Sequence, residues 1–302
     1  MDKNKDNKRL LGGIAVAVAY IMWGFLTLFW NLLSEVNSIY ILSQRIIWSM
    51  VFMGLYILVL RKTAEIKQIF KEKKTLLICF VCGVLVTINW GVYIFAINSG
   101  HVLDASLGYF IEPVLVALIG LIVFKEKPGK LERITFVLAF AGLVYMIIRT
   151  KTFPVLSLLI AGSFAIYGAV KKNLKITPEA SLFMETLFMT PIALIFALYA
   201  EKHGMGSVGV ISGWKLWLLP ACGIVTSIPL LLFNIGVKKI PYYLSGIIMY
   251  LNPTIQFFMG VFYFGEAMDK DRLISFIFIW VGILFAITEK LIMMKAEKKQ
   301  NI

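Results

Sequence analysis

Ten apolar runs, each close to the length a bilayer demands and each bounded by charge, constrain this chain more than any motif in it. A helix rises about 1.5 Å per residue, so a hydrocarbon core roughly 30 Å thick needs roughly 20 apolar residues to cross it. The runs lie at approximately 10–33, 39–60, 75–98, 105–124, 131–149, 154–170, 181–200, 214–237, 243–264 and 272–293. The sixth, opened by Pro154 and closed by Lys171 and Lys172, is the shortest. The first is too long for a removable signal peptide and lacks a small-residue cleavage site. Only 16% of the residues are charged, against about a quarter in a soluble domain, and 60% are hydrophobic. The polar surface is too small to face water throughout. The expected fold is an all-α integral membrane protein with ten transmembrane helices in contact with the lipid bilayer.

Charge placement orients the spans. Basic connections stay on the cytoplasmic side. With a cytoplasmic N-terminus, 23 of the 30 Lys and Arg residues fall on that side and six on the other, Arg45 lying within the second span. Both termini are therefore expected in the cytoplasm, with residues 1–9 and 294–302 as tails. The same asymmetry accounts for the net charge of +13 without nucleic acid as a partner.

A shift of 140 residues aligns the chain with itself without gaps: Gly83 falls on Gly223, Pro113 on Pro253, Gly120 on Gly260, Glu126 on Glu266, Phe136 on Phe276 and Gly142 on Gly282. Matching Pro, Glu and Gly are not what chance apolar similarity produces. Each half holds five spans, an odd number, so the second half enters the membrane from the opposite face. The reading is two inverted five-helix repeats, residues 10–149 and 150–293. Such repeats mark secondary transporters, whose substrate site lies near the midplane between the halves.

Pro113 and Pro253 fall mid-span, where each removes a backbone donor and frees the carbonyl four residues earlier. Free carbonyls inside a membrane are tolerated where protein or water can satisfy them, which turns these helix-breaking positions toward a cavity. Three ionisable residues also fall within spans: Arg45, Glu112 and Glu185. By helix rise, Arg45 lies roughly 9 Å and Glu112 roughly 11 Å below the external surface, so the two are expected to pair; Glu185, about 6 Å from the cytoplasmic surface, marks a second polar site. Gln44, Arg45 and Trp48 share a face of the second span, and Asn252 and Gln256 a face of the ninth. Asn89, Trp90 and Tyr93 group in the third, Tyr109 accompanies Glu112 in the fourth, and Trp23 adds a ring from the first. Tyr20 and Trp30 read as aromatic anchors at a membrane interface. Aromatic rings and amides around a few charges suit a small organic solute better than a bare metal ion.

No cofactor or metal is implied. Cys79 and Cys82 have C-x-x-C spacing but sit in an apolar run without a second ligand pair, Cys222 is isolated, and His101 and His203 cannot build a metal centre. Phosphate-loop, serine-elbow and H-E-x-x-H signatures are lacking, which argues against ATP-driven pumping by this chain and against hydrolysis.

Seven short segments in order carry a resemblance: YIMWG from Tyr20, QRIIWS from Gln44, Asn89-Trp90, ASLGYFI from Ala105 ahead of Pro113, SFAIYG from Ser163, Glu185-Thr186 ahead of Pro191, and GIVT from Gly223 ahead of Pro229. Over residues 10 to 290 the chain resembles the EamA branch of the drug/metabolite transporter superfamily, and within it the RarD group. The resemblance implies ten helices, inverted repeats and export of small organic solutes by alternating access; the expected location is the plasma membrane, and a proton or a counter-substrate is a candidate coupled partner that the residues do not decide. Such proteins often carry a neutral Asn ahead of the fourth-span proline where this chain has Glu112, so a coupling role for Glu112 would be particular to this chain. The competing reading is a non-transporting sensor or assembly protein on the same fold; the oligomeric state is not encoded in these residues.

Overall fold

Helices supply all regular structure among the described residues of a computed structural model, which are 3–98, 102–150, 155–265 and 270–300. His101, Pro154 and Glu266, used in the sequence reading, lie outside them. The helices are α1 (Lys3–Asn31), α2 (Ser38–Val59), α3 (Thr63–Lys71), α4 (Lys73–Asn98), α5 (Val102–Ile122), α6 (Lys130–Thr150), α7 (Val155–Asn173), α8 (Pro178–Lys202), α9 (Leu218–Val237), α10 (Tyr242–Met249), α11 (Leu251–Phe258) and α12 (Lys270–Gln300). Among the described residues eight helical segments are long and apolar enough to cross a membrane, and Gly108–Ile122 and Leu273–Glu289 are shorter apolar helices.

Starts follow local chemistry. Asn37 caps α2, its side chain accepting from the backbone N–H groups of Ile39 and Tyr40. Thr177 caps α8 by accepting from Ala180 N, with Pro178 at the first helical position, where its missing N–H costs nothing. Two departures from the expected spans appear. Residues 61–74 were expected as a connection, but they contain the helix α3. Its Thr63, Lys67, Gln68 and Lys71 are exposed and Ile69 is buried beside Ile57 and Cys79.

The ninth span is the second departure. It runs over Tyr242–Tyr263 in three pieces: α10, α11 beyond a break at Tyr250, and a π-helical turn over Met259–Tyr263. The break sits at the turn that Pro253 deprives of a donor to Met249. Pro113, its repeat partner, lies inside an unbroken α5.

The connections gather at two ends. At one end Glu65 accepts from Thr177, Lys62 pairs with Glu179, Lys238 donates to the Ile176 carbonyl, and Glu126 accepts from Tyr242 N at 2.7 Å and Tyr243 N at 2.9 Å. Glu289 of α12 reaches Glu132 N there, and Gly12 of α1 lies against Lys239. At the other end Lys215 pairs with Glu35, Tyr40 bonds to Glu201, and Asp271 accepts from Tyr145 and Arg149. The first end carries the basic connections.

The most extensive helix pairings cross between the halves: α6 with α12, α5 with α7 and α10, α2 with α8 and α9, α1 with α9 and α11, and α4 with α7 and α8. Exchanging the halves maps this set onto itself. α1 on α9 becomes α7 on α4, α2 on α9 becomes α8 on α4, and α6 on α12 returns itself. Gly223 allows one such approach, because a Cβ there would overlap the Trp48 carbonyl and press on Ser49 N at 2.8 Å.

Candidate functional site

Between the halves lies a cavity of about 110 Å³. Nine of the residues singled out in the sequence line it: Trp23, Arg45, Asn89, Trp90, Tyr93, Tyr109, Glu112, Asn252 and Gln256. They come from α1, α2, α4, α5 and α11. Tyr20, Thr27, Trp30, Ile160 and Phe164 complete most of the wall.

Arg45 organises one side. Its guanidinium carbon lies 4.7 Å from the ring centroid of Trp30 and 4.2 Å from that of Trp90, so two indoles pack on the cation. Nε donates to the Thr226 hydroxyl at 3.2 Å. The expected ion pair with Glu112 is not formed: Glu112 lines the same cavity, buried, with neither an ion pair nor a side-chain hydrogen bond to any described residue. Matching depth in two helices does not set their facing rotamers, and packing against two rings holds Arg45 elsewhere.

The remaining polar groups are mostly committed. Asn89 donates to the Ile160 carbonyl at 2.7 Å, and Gln256 donates to Asn252 at 3.0 Å, the (i, i+4) pair that helical spacing predicted. The rings of Tyr93 and Tyr109 are 5.6 Å apart. Tyr20, fully buried, keeps a hydroxyl in the cavity wall without a hydrogen-bond partner among the described residues. Tyr20, Trp23 and Phe164 continue into an aromatic cluster with Phe233 and Tyr167. The two pathway residues Gln44 and Trp48 do not line the cavity; Trp48 Nε1 donates to Gln44 at 3.0 Å instead. Tyr20 and Trp30, read as interface anchors, belong to the site.

Glu185 occupies a separate network. It pairs with Lys171, and both side chains are 1% exposed. Ser181 donates to Glu185 at 2.6 Å and Tyr167 at 3.1 Å, and Asn234 of α9 donates to the Tyr167 hydroxyl at 3.2 Å. Lys171 therefore does not sit on a solvated basic connection, as its position beside Lys172 suggested. Cys79 and Cys82 are free, buried thiols on α4.

Glu126 ties the halves together at the basic end. Besides holding two N–H groups of α10, it lies 3.5 Å from Lys172, which also donates to the Ile240 carbonyl at 2.5 Å.

Comparison with known proteins finds the EamA-like transporter family matching twice, at residues 10–148 and 152–288. The chain is 37% identical to an uncharacterized transporter, YojE, of Bacillus subtilis, over 90% of this chain and 92% of that one. It is 34% identical to Protein RarD of Streptomyces exfoliatus over 93% and 89% of the two chains, and 30% identical to Protein RarD of Escherichia coli over 92% and 94%. A crystal structure 16% identical in sequence superposes with a TM-score of 0.70, covering 92% of this chain and 97% of the other, and shares the fold.

Proposed function

Because the chain belongs to the EamA-like transporter family, we propose that it is a secondary transporter that exports small organic metabolites or drugs across the plasma membrane by alternating access. The observation that carries this reading is the cavity between two family-matched halves, lined by Arg45, Glu112, two indoles that stack on Arg45 and several tyrosines and amides. Ten transmembrane helices in two inverted five-helix repeats are part of the reading, residues 10–149 and 150–293 forming the halves. The self-mapping set of helix pairings supports it, as does a ninth span broken beside the cavity, a device by which transporter helices expose backbone groups to solutes. The basic end, with both terminal helices reaching it, is the cytoplasmic one.

In this reading a rocking motion of one half against the other alternates access, and the Glu126 contacts with Tyr242, Tyr243 and Lys172, which join the halves at the basic end, would have to part for that side to open. Counterflow in liposomes containing the purified protein tests the reading, with amino acids, amines and phenicols as candidate solutes. Accumulation of a labelled solute against its unlabelled form is the expected result. Absence of flux across the panel, together with a stable protein partner, would favour a non-transporting sensor.

A further inference from the structure

A groove of about 1020 Å³ lies at the basic end, where α3, the start of α4 and the end of α7 meet the turn that follows α5. It is graded along the helix axes. Helix ends and connections supply its polar lining, with Gln68, Glu72, Lys74, Thr75, Asn173 and Lys175, while Ile78, Ile119, Val123, Phe124 and Ile166 supply apolar wall. Ile166 precedes Asn173 by seven residues on α7, so by helix rise this wall descends roughly 10 Å from the polar part. Val123 is 64% and Ile166 50% exposed, which leaves the apolar wall open sideways, where acyl chains run.

The charges of the polar part are unequally satisfied. Glu65 accepts from Thr177 N and from its hydroxyl, both at 2.8 Å, and Glu72 accepts from Gln68 at 3.3 Å and Thr75 at 3.0 Å. Lys74 and Lys175 are exposed, and their side chains make neither an ion pair nor a hydrogen bond to a described residue. Lys71 and Lys73, also exposed, flank Glu72 in sequence, so four lysines face two carboxylates that already hold donors. The surplus is positive. A soluble anion would answer the lysines but has nothing to lay on Ile119 and Ile166.

We propose that this groove binds an anionic phospholipid from the leaflet at the basic end, its phosphate on Lys74 and Lys175 and one acyl chain along Ile78, Ile119 and Ile166. The proposal requires a bilayer around the chain but no transport, so it stands or falls separately from the reading above. Its place also links it to the contacts between the halves. The ring of Phe124, in the groove wall, has Lys172 Nζ 5.5 Å and the Tyr242 ring 5.6 Å from its centroid, and Glu126 contacts both residues. A lipid packed there supports those contacts.

The test is native mass spectrometry of the purified, delipidated protein titrated with dioleoylphosphatidylglycerol or dioleoylphosphatidylcholine. The expected result is a single phosphatidylglycerol held at least tenfold more tightly than phosphatidylcholine. Each lysine beside an anionic headgroup contributes about fivefold, so Lys74→Gln combined with Lys175→Gln should weaken phosphatidylglycerol at least tenfold, with an unchanged unfolding midpoint in lipid-free detergent. Lys127→Gln combined with Lys130→Gln, exposed and outside the groove, should leave the affinity as it is, and Ile166→Trp should weaken both lipids by filling the apolar wall. Equal affinity for the two lipids overturns the proposal, as does undiminished affinity in the Lys74 and Lys175 double variant or in Ile166→Trp. An equal loss in the Lys127 and Lys130 variant reduces the effect to general surface charge and overturns it too. Displacement of the lipid by glycerol 3-phosphate would assign the groove to a soluble phosphate instead.

Discussion

Thr135 of α6 donates its hydroxyl to the carbonyl of Gly282 on α12 at 2.7 Å, and the two backbones touch there because residue 282 has no side chain. The close glycine approach, though not the hydrogen bond, recurs with the halves exchanged. A shift of 140 residues turns Thr135 into Ser275 and Gly142 into Gly282, and Gly142 lies against the Ser275 carbonyl. A pair of contacts that exchange in this way is what a two-fold relation between halves produces. Under the proposed five-span halves, such a relation would have them enter the membrane from opposite faces.

That relation predicts labelling. In a background without Cys79, Cys82 and Cys222, single cysteines at Lys127 and Ser212, both exposed, should react with an impermeant maleimide from opposite sides of the membrane, Lys127 from the cytoplasm. Labelling of both from one side would contradict the inverted arrangement.

The Lys171–Glu185 pair predicts a second outcome. Removing one member of a buried pair leaves an uncompensated charge, which typically costs about 3–5 kcal/mol, whereas an apolar pair of similar volume is often neutral. Lys171→Met should therefore lower the unfolding midpoint in detergent sharply, and Lys171→Met combined with Glu185→Leu should recover most of the loss. A double variant as unstable as the sum of the singles would show that the pair is not coupled.

Arg45 and Glu112 should behave in the opposite way. Since they share a cavity but no contact, the stability changes of Arg45→Gln and Glu112→Gln should add to within roughly 0.5 kcal/mol in the double variant. Recovery of folded protein in the double variant would restore the ion pair expected from the sequence.

At the opposite end of α6, acid should loosen the structure. Hydrogen bonds from Tyr145 at 2.7 Å and then from Arg149 at 2.9 Å hold the Asp271 carboxyl below its usual range. A depressed folded-state value means that this contribution is complete above the unfolded value of about 3.9 and is lost as pH falls through the folded one. The difference in unfolding midpoint between the parent and Asp271→Asn should therefore shrink on acidification below about pH 4. A difference that widens there would refute the assignment.

Eight membrane-length helices and most cavity residues were legible in the sequence because helical spacing in a lipid-facing bundle leaves few places for Asn89, Asn252 or Gln256. Pro253 signalled a lost donor, but not whether the helix would open; Pro113 loses the same donor inside a continuous helix. Trp30 and Trp90 come from helices distant in sequence, so their joint stacking on Arg45 is tertiary information. Lys171, near a helix end, has the local signature of a solvated residue until α8 supplies Glu185.

Alternating access itself is tested most directly at Gln256, on the cavity wall. With the three native cysteines replaced, Gln256→Cys is exposed to an impermeant maleimide in right-side-out and in inverted vesicles. The account predicts reaction from both sides, with a transported solute shifting the balance between them. Reaction from one side alone, unaffected by every solute, would contradict it.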